Sequence, residues 1–342
     1  MRADRLKTLR TVLDEVNQRL GVAGDAGATV WPSGFGSLDK ALDGGFRSGE
    51  LALLGSRPGL GKTTFALQVA RNLVASDFSV VYFSFEHDNH SLLERLILME
   101  AAEVAGSYAV KLPAVREAFS APRNSDRTMA GRLADTDGGA EAVQALESYS
   151  ERLHLHRSSG AETDVEAMRA AIESIRERTG QTPFVVVDYL QKVHASVPST
   201  DRRQAARLSE DDRITEVVEG LKDMALDLRV PVLALVAVGN SGLAVATRTR
   251  TQDLRGSSSL VHEADVVLIL NNKFDVVARH HLMYNTGNAE LFHNWLVLSI
   301  EKNRNGVDGV DLEFRKHFEH FRFDPSGQRV EEELIDGRIY VE

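Results

Sequence analysis

The chain has 342 residues, 43% of them hydrophobic and 26% charged, with a formal net charge of −10 and no cysteine. It is long and apolar enough to bury a large core, while the lack of cysteine excludes disulfides, thiolate metal sites and cysteine nucleophiles. The acidic balance excludes a non-specific nucleic-acid coat, so any contact with nucleic acid has to come from a local basic cluster.

The amino-terminal MRADRLKTLRTVLDEVNQRL lacks the uninterrupted apolar stretch of a signal peptide. The longest uncharged apolar run, Val230 to Val238, is too short to span a bilayer. A cytoplasmic protein without membrane contact is the expectation. Within 4–20, Leu6, Leu9, Leu13, Val16 and Leu20 alternate by three and four, which is one apolar stripe of a helix. The Gly/Ala-rich GVAGDAGAT that follows reads as a linker. A short helix before a linker has little core of its own. It either folds back on its own domain or docks on a neighbouring subunit.

From Glu50 the pattern alternates. ELALLG is a strand, RPGLGK a glycine-bearing loop, TTFALQVARNLVA a helix, SVVYFSFE a strand and SLLERLILMEAAEVA a helix. This alternation predicts an α/β fold with a mostly parallel twisted sheet and helices on both faces. Residues 106–160 read as mostly helical, broken at APRNSD and TDGGA. Thr163 opens a helix with a capping box completed by Glu166. Its buried face is Val165, Met168, Ile172 and Ile175, and Gly180 ends it. PFVVVD and PVLALVAV are buried strands around the helix ITEVVEGLKDMALDLR. ADVVLIL, LVLSIE, GVDLEF and FEHFRF follow as strands, the last ones antiparallel.

The run Ser56, Arg57, Pro58, Gly59, Leu60, Gly61, Lys62, Thr63, Thr64 lies between a strand and a helix. It matches G-x-x-x-x-G-K-[ST] except that Ser56 stands at the first position, beside Gly55. Backbone N–H groups of such a loop wrap a triphosphate because glycine has no Cβ to block approach. The helix start adds its positive dipole end. Lys62 would place a charge on the β and γ phosphates, and the Thr63 hydroxyl would ligate Mg²⁺. The plain alternative is a Gly-rich turn with a chance Lys-Thr. Asp188 ends a buried strand at the crevice where such sheets bind ligands, which makes it a Mg²⁺ partner. A strand-terminating turn aspartate is the competing reading. Glu86 ends the strand after the P-loop helix, where a carboxylate can orient and deprotonate water. Spacing alone does not separate that role from a surface glutamate near Asp88 and Asn89.

Taken together these segments resemble the motor domain of DnaB-type replicative helicases, a RecA-like fold. The resemblance runs through GFGSLDKALDGGFRSGELALLGSRPGLGKTTFALQVA, FSFEHD, VVVDYLQKV, DLRGSSSLVHEADVVLIL and EKNRNGVDGVDLEF. It covers about residues 30–324, leaving 1–29 as a helix and linker and 325–342 as a carboxy-terminal tail. The RadA-type branch of the same superfamily is the runner-up. The resemblance implies ATP and Mg²⁺ as ligands, a homo-oligomeric, hexameric ring and single-stranded DNA as partner. It implies that Lys62 and Thr63 bind phosphate and Mg²⁺, Asp188 supports the metal and Glu86 is the catalytic base. It also implies that Lys302 and Arg304 reach a neighbour's ATP site. Two residues apart on a strand, they project to one side. Arg255 matches a phosphate-contacting arginine of the central channel, and Arg248 and Arg250 lie in the same polar loop, TRTRTQDLRGSSS.

The chain departs from the family where a Ser-Gln pair and then Asn-Arg follow the strand matched by PVLAL. Here Val236, Ala237, Gly239 and Asn240 stand there, and Gly256 replaces an acidic residue. Two functions therefore compete: an ATP-driven helicase or translocase on single-stranded DNA, and a DnaB-like ring repurposed as a nucleotide-gated scaffold for a protein partner.

Overall fold

Strand β3 (Leu51–Ser56) is buried at every residue, and it is hydrogen-bonded to parallel strands on both sides. The computed structural model describes residues 6–23, 29–120, 128–195, 209–239, 247–283 and 286–337. The linker expected over 21–29 falls mostly on 24–28. That stretch, the APRNSD break and Asn240 lie outside the described residues.

Around β3 the sheet runs β5-β4-β6-β7-β3-β8, with β4 at Val80–Ser84, β5 at Leu153–Arg157, β6 at Phe184–Asp188, β7 at Val232–Ala237 and β8 at Val266–Asn272. These six are parallel. Then come antiparallel β9 (Trp295–Asn303) and β10 (Val310–His317), with β11 (Arg322–Phe323) and β12 (Gln328–Arg329) both paired to β10. A separate two-stranded ribbon joins β1 (Val30–Trp31) and β2 (Phe46–Arg47). The expected fold class is the observed one. Strand β5 is an addition, since its LHLHR sequence sits in a stretch that reads as helical. FEHFRF is mostly a 3₁₀ turn, with only its last two residues in a strand.

Side chains alternate across β3. Ala52 and Leu54 face one core with helices α3 (Lys62–Ala75) and α4 (Asn89–Ala105), while Leu51 and Leu53 face the other. That second core is closed by α8 (Val165–Thr179) and α9 (Glu210–Leu228). Helices α2 (Gly36–Ala41), α5 (Leu112–Phe119), α6 (Met129–Leu133) and α7 (Gly139–Tyr149) complete the series up to α8. In α8 the stripe Val165, Met168, Ile172 and Ile175 is buried as expected, and Gly180 ends the helix in the left-handed region. Burying each such side chain contributes about 1.5–3 kcal/mol. The cap is Asp164, whose carboxylate accepts from Ala167 N at 2.8 Å, so the capping box read at Thr163 is displaced by one residue. Helix α1 (Leu9–Ala23) leaves Leu9, Leu13 and Leu20 exposed.

The segment after 324 lies on the domain. Besides β12, Leu334 bridges Val277 and Gly337 bridges Thr247. The other end of the sheet is fastened by Asp265, just before β8. Its carboxylate accepts from Leu51 N at 2.8 Å and from Lys222 Nζ at 2.6 Å. It therefore ties the central strand to helix α9. Asp265→Ala strands Lys222, whose side chain is 13% exposed. Breaking such a pair costs about 3–5 kcal/mol, and a urea titration should show a correspondingly lower midpoint.

Candidate nucleotide site

Every parallel strand ends at the same edge of the sheet, which brings Ser56, Ser84, Asp188 and Ala237 together. The turn from β3 into α3 passes through Gly59 (φ 79°) and Gly61 (φ 89°), a region that side-chain-bearing residues avoid. A Cβ on Gly61 would also stand 2.8 Å from Phe318 Cζ and 2.9 Å from Phe323 Cζ. Helix α3 then starts at Lys62 with no acidic residue in its first turn, leaving its N–H groups and dipole open to an anion.

The Lys62 ammonium donates to Ser56 O at 2.8 Å and lies 3.2 Å from Ser56 Oγ. Burial pushes its pKa down to about 8, opposed by the charges of Asp188 and Glu86. Asp188 is 1% exposed. Burial pushes its carboxyl above the usual range, against hydrogen bonds donated by Tyr82 and Thr63. The Tyr82 hydroxyl donates to Asp188 Oδ2 at 2.8 Å. Burial, reinforced by that carboxylate, holds the phenol well above its ordinary pKa. Thr63 and Asp188 thus face each other with oxygen donors suited to a hard cation.

Glu86 is exposed and lines a cavity of about 510 Å³ with Pro58, Gly59, Gly61, Lys62, Thr63, Thr64 and Asp188. The cap of α4 is Asp88, which accepts from Ser91 N at 2.7 Å. Capping is therefore not the role of Glu86. Three further residues, which the sequence alone does not single out, line the same cavity: Arg95, Phe318 and Phe321. The Arg95 guanidinium sits 4.8 Å above the Phe321 ring. Its signal in the sequence is an arginine within the apolar run LLERLILM.

Other expected residues lie elsewhere. Arg57 is buried and paired to Asp275, so only its backbone belongs to the loop. Leu60 packs on the core. Arg248 is 6% exposed, paired to Asp311 and donating to Ser299 Oγ at 2.9 Å. Arg250 pairs with Glu301 at 2.9 Å and with Asp336 at 2.5 Å. These contacts correct the expectation of a solvated loop that adds little to the core, because the partners come from β9, β10 and the segment after 324. Arg255 remains half exposed, paired to Glu210 at 2.5 Å.

Lys302 and Arg304 sit at the far edge of the sheet. Lys302 is paired across from Val267 at the start of β8, whereas Ser56 is across from Leu270 at its end. The Lys302 ammonium donates to Val261 O, and Arg304 donates to His262 O and lies 3.3 Å from Asp265 Oδ1.

A family model described as "DnaB-like helicase C terminal domain" matches residues 31–323. The chain belongs to this family. It is similar to the replicative DNA helicase DnaC of Bacillus subtilis (strain 168), 28% identical over 325 residues, 92% of this chain and 62% of the relative. To the replicative DNA helicase DnaB of Geobacillus stearothermophilus it is 28% identical over 300 residues, 87% of this chain and 57% of the relative. The chain thus spans about three fifths of the length of the curated relatives it matches. Among solved structures, an isolated ATPase domain superposes with TM-score 0.68 at 22% identity, over 93% of this chain and 98% of that one. A DnaB-like replicative helicase, solved with its interactions with primase in view, gives 0.67 at 23%, over 93% and 67%. These structures establish the fold, and the family is one of P-loop NTPases. No helix among the described residues is long and apolar enough to cross a membrane.

The family's nucleotide dependence gives the lysine a measurable signature. An anion favours charged Lys62, so binding takes up a proton once pH exceeds the free-site pKa of about 8. Nucleotide Kd should therefore be flat below that pH and rise above it, by at most about tenfold per unit. In Lys62→Arg, which stays charged, titration with a fluorescent ATP analogue should show no such rise.

Proposed function

We propose that the chain is an ATP-hydrolysing, hexameric ring motor, a DnaB-like helicase or translocase on single-stranded DNA. The observation that carries this reading is the distance between the two halves of the catalytic set. Lys62, Thr63, Asp188 and Glu86 share one cavity, while Lys302 and Arg304 occupy the opposite edge of the same sheet. Three strand positions separate Val267 from Leu270, roughly 10 Å of backbone, and the finger strand runs away from the P-loop. Two cations so placed serve a neighbour's nucleotide.

In this reading Lys62 sets its charge against the β and γ phosphates, and the turn's N–H groups hold the rest of the chain of phosphates. Thr63 and Asp188 would hold Mg²⁺, which neutralises charge on the transferring phosphoryl group when bound. Glu86 accepts a proton from the attacking water. Lys302 and Arg304 stabilise charge on the neighbour's side of the interface. The exposed leucines of α1 suit docking on that neighbour, and Arg255 is the arginine best presented to DNA phosphates.

Mixing tests the shared site. Rings of Arg304→Ala alone and of Lys62→Ala alone should hydrolyse no ATP. Mixed rings should recover part of the activity at interfaces that join an intact P-loop to an intact finger. Demonstrably mixed rings without recovery would rule out action in trans.

Anisotropy titration tests the DNA part. The ring loaded with an ATP analogue should bind single-stranded DNA regardless of base sequence and weaken steeply with salt. Arg255→Ala should lower the log–log salt slope by about one per lost contact. If no single-stranded nucleic acid binds, the scaffold reading takes its place.

A further inference from the structure

Strand β7 ends at Ala237, whose methyl lines the nucleotide cavity and offers no hydrogen bond. The loop carrying Arg255 is fastened to that strand end by backbone alone. Arg255 N donates to Ala237 O at 3.0 Å, Gly239 N donates to Asp253 O at 2.7 Å, and Leu254 bridges Val238. The Gln191 carboxamide adds to this junction from a third segment. Its Oε1 accepts from Ala237 N at 3.1 Å. Its Nε2 lies 3.4 Å from Ala237 O and 3.3 Å from Arg255 O, donating to both.

Gln191 stands three residues after Asp188 and two after Tyr189, both of which line the nucleotide cavity. It sits in the 3₁₀ turn Leu190–Lys192, which is anchored by fully buried Leu190. Movement of the Asp188–Tyr189 backbone therefore carries the Gln191 amide with it, and the amide grips the strand end and the arginine's own carbonyl.

We infer that Gln191 is a positioning residue that couples occupancy of the nucleotide site to the placement of Arg255. This rests on the nucleotide site proposed above. The amide is suited to the task because it donates and accepts at once. A glutamate keeps the acceptor for Ala237 N and loses the donor to Arg255 O. An alanine loses both. Coupling of this kind shifts affinities at both ends by the same factor, ordinarily on the order of tenfold.

The experiment is amide hydrogen exchange over residues 251–256 in the full chain, with and without Mg²⁺ and a non-hydrolysable ATP analogue. In the parent, the analogue should change exchange in this segment by on the order of tenfold. In Gln191→Ala and Gln191→Glu that change should vanish, while the analogue Kd measured without DNA stays within about twofold of the parent. Thermal unfolding serves as the folding control, and Gln191→Glu carries the test if Gln191→Ala does not fold. A response retained in both variants, or no response in the parent, overturns the inference. Single-stranded DNA titrations of the same proteins separate it from the motor reading. A parent that shows the exchange response but binds no DNA overturns the motor and leaves the coupling. A parent that binds DNA without the response does the reverse.

Discussion

The site depends on a positive charge held out of water. The Lys62 ammonium is turned onto the carbonyl of Ser56, and burial alone would favour losing its proton. Asp188 and Glu86 offset that tendency from across the cavity. Asp188 is itself desolvated, and it keeps its place through the hydroxyls of Tyr82 and Thr63. Each group is thus conditioned by the others. The sheet supplies the constraint that makes this possible, because the parallel register ends β3, β4 and β6 at one edge.

A parallel sheet has two edges with different chemistry. The edge where strands end presents helix starts and turns, and here it holds the cavity. The edge where they begin is fastened by Asp265, which gathers Leu51, Lys222 and Arg304. Antiparallel β9 leads back to that second edge. The finger cations are consequently seated on the carbonyls that end the helix Ser257–Glu263, where cations are favoured by the dipole. One protomer carries the parts of two half-sites, facing opposite ways.

Much of this is legible in the sequence, for local reasons. A strand, a Gly-bearing turn and a helix with Lys-Thr are consecutive, so the P-loop needs no knowledge of tertiary contacts. The apolar stripe of Val165, Met168, Ile172 and Ile175 follows from helical spacing. What is not legible depends on partners far along the chain. Arg248 and Arg250 look like solvated loop charges until Asp311, Glu301 and Asp336 are brought to them. Arg57 looks like a phosphate ligand until Asp275 takes it. Strand β5 is hidden because its residues are only partly buried, with two histidines and an arginine in five positions. Gln191 is visible as part of a motif, but its three bonds to Ala237 and Arg255 exist only in the folded chain.

The tie between Arg250 and Asp336 spans 86 residues, and its consequence concerns synthesis on the ribosome. Asp311, Glu301 and Asp336 are all made after the two arginines they neutralise. While residues 247–250 emerge, these cations have none of those partners, and β8 has not met β9. The nucleotide half of the sheet can assemble during this interval, since β3, β4, β6 and β7 are already made. The arginine loop closes only when translation has passed residue 336, so the surface offered to DNA is finished after the pocket that powers it.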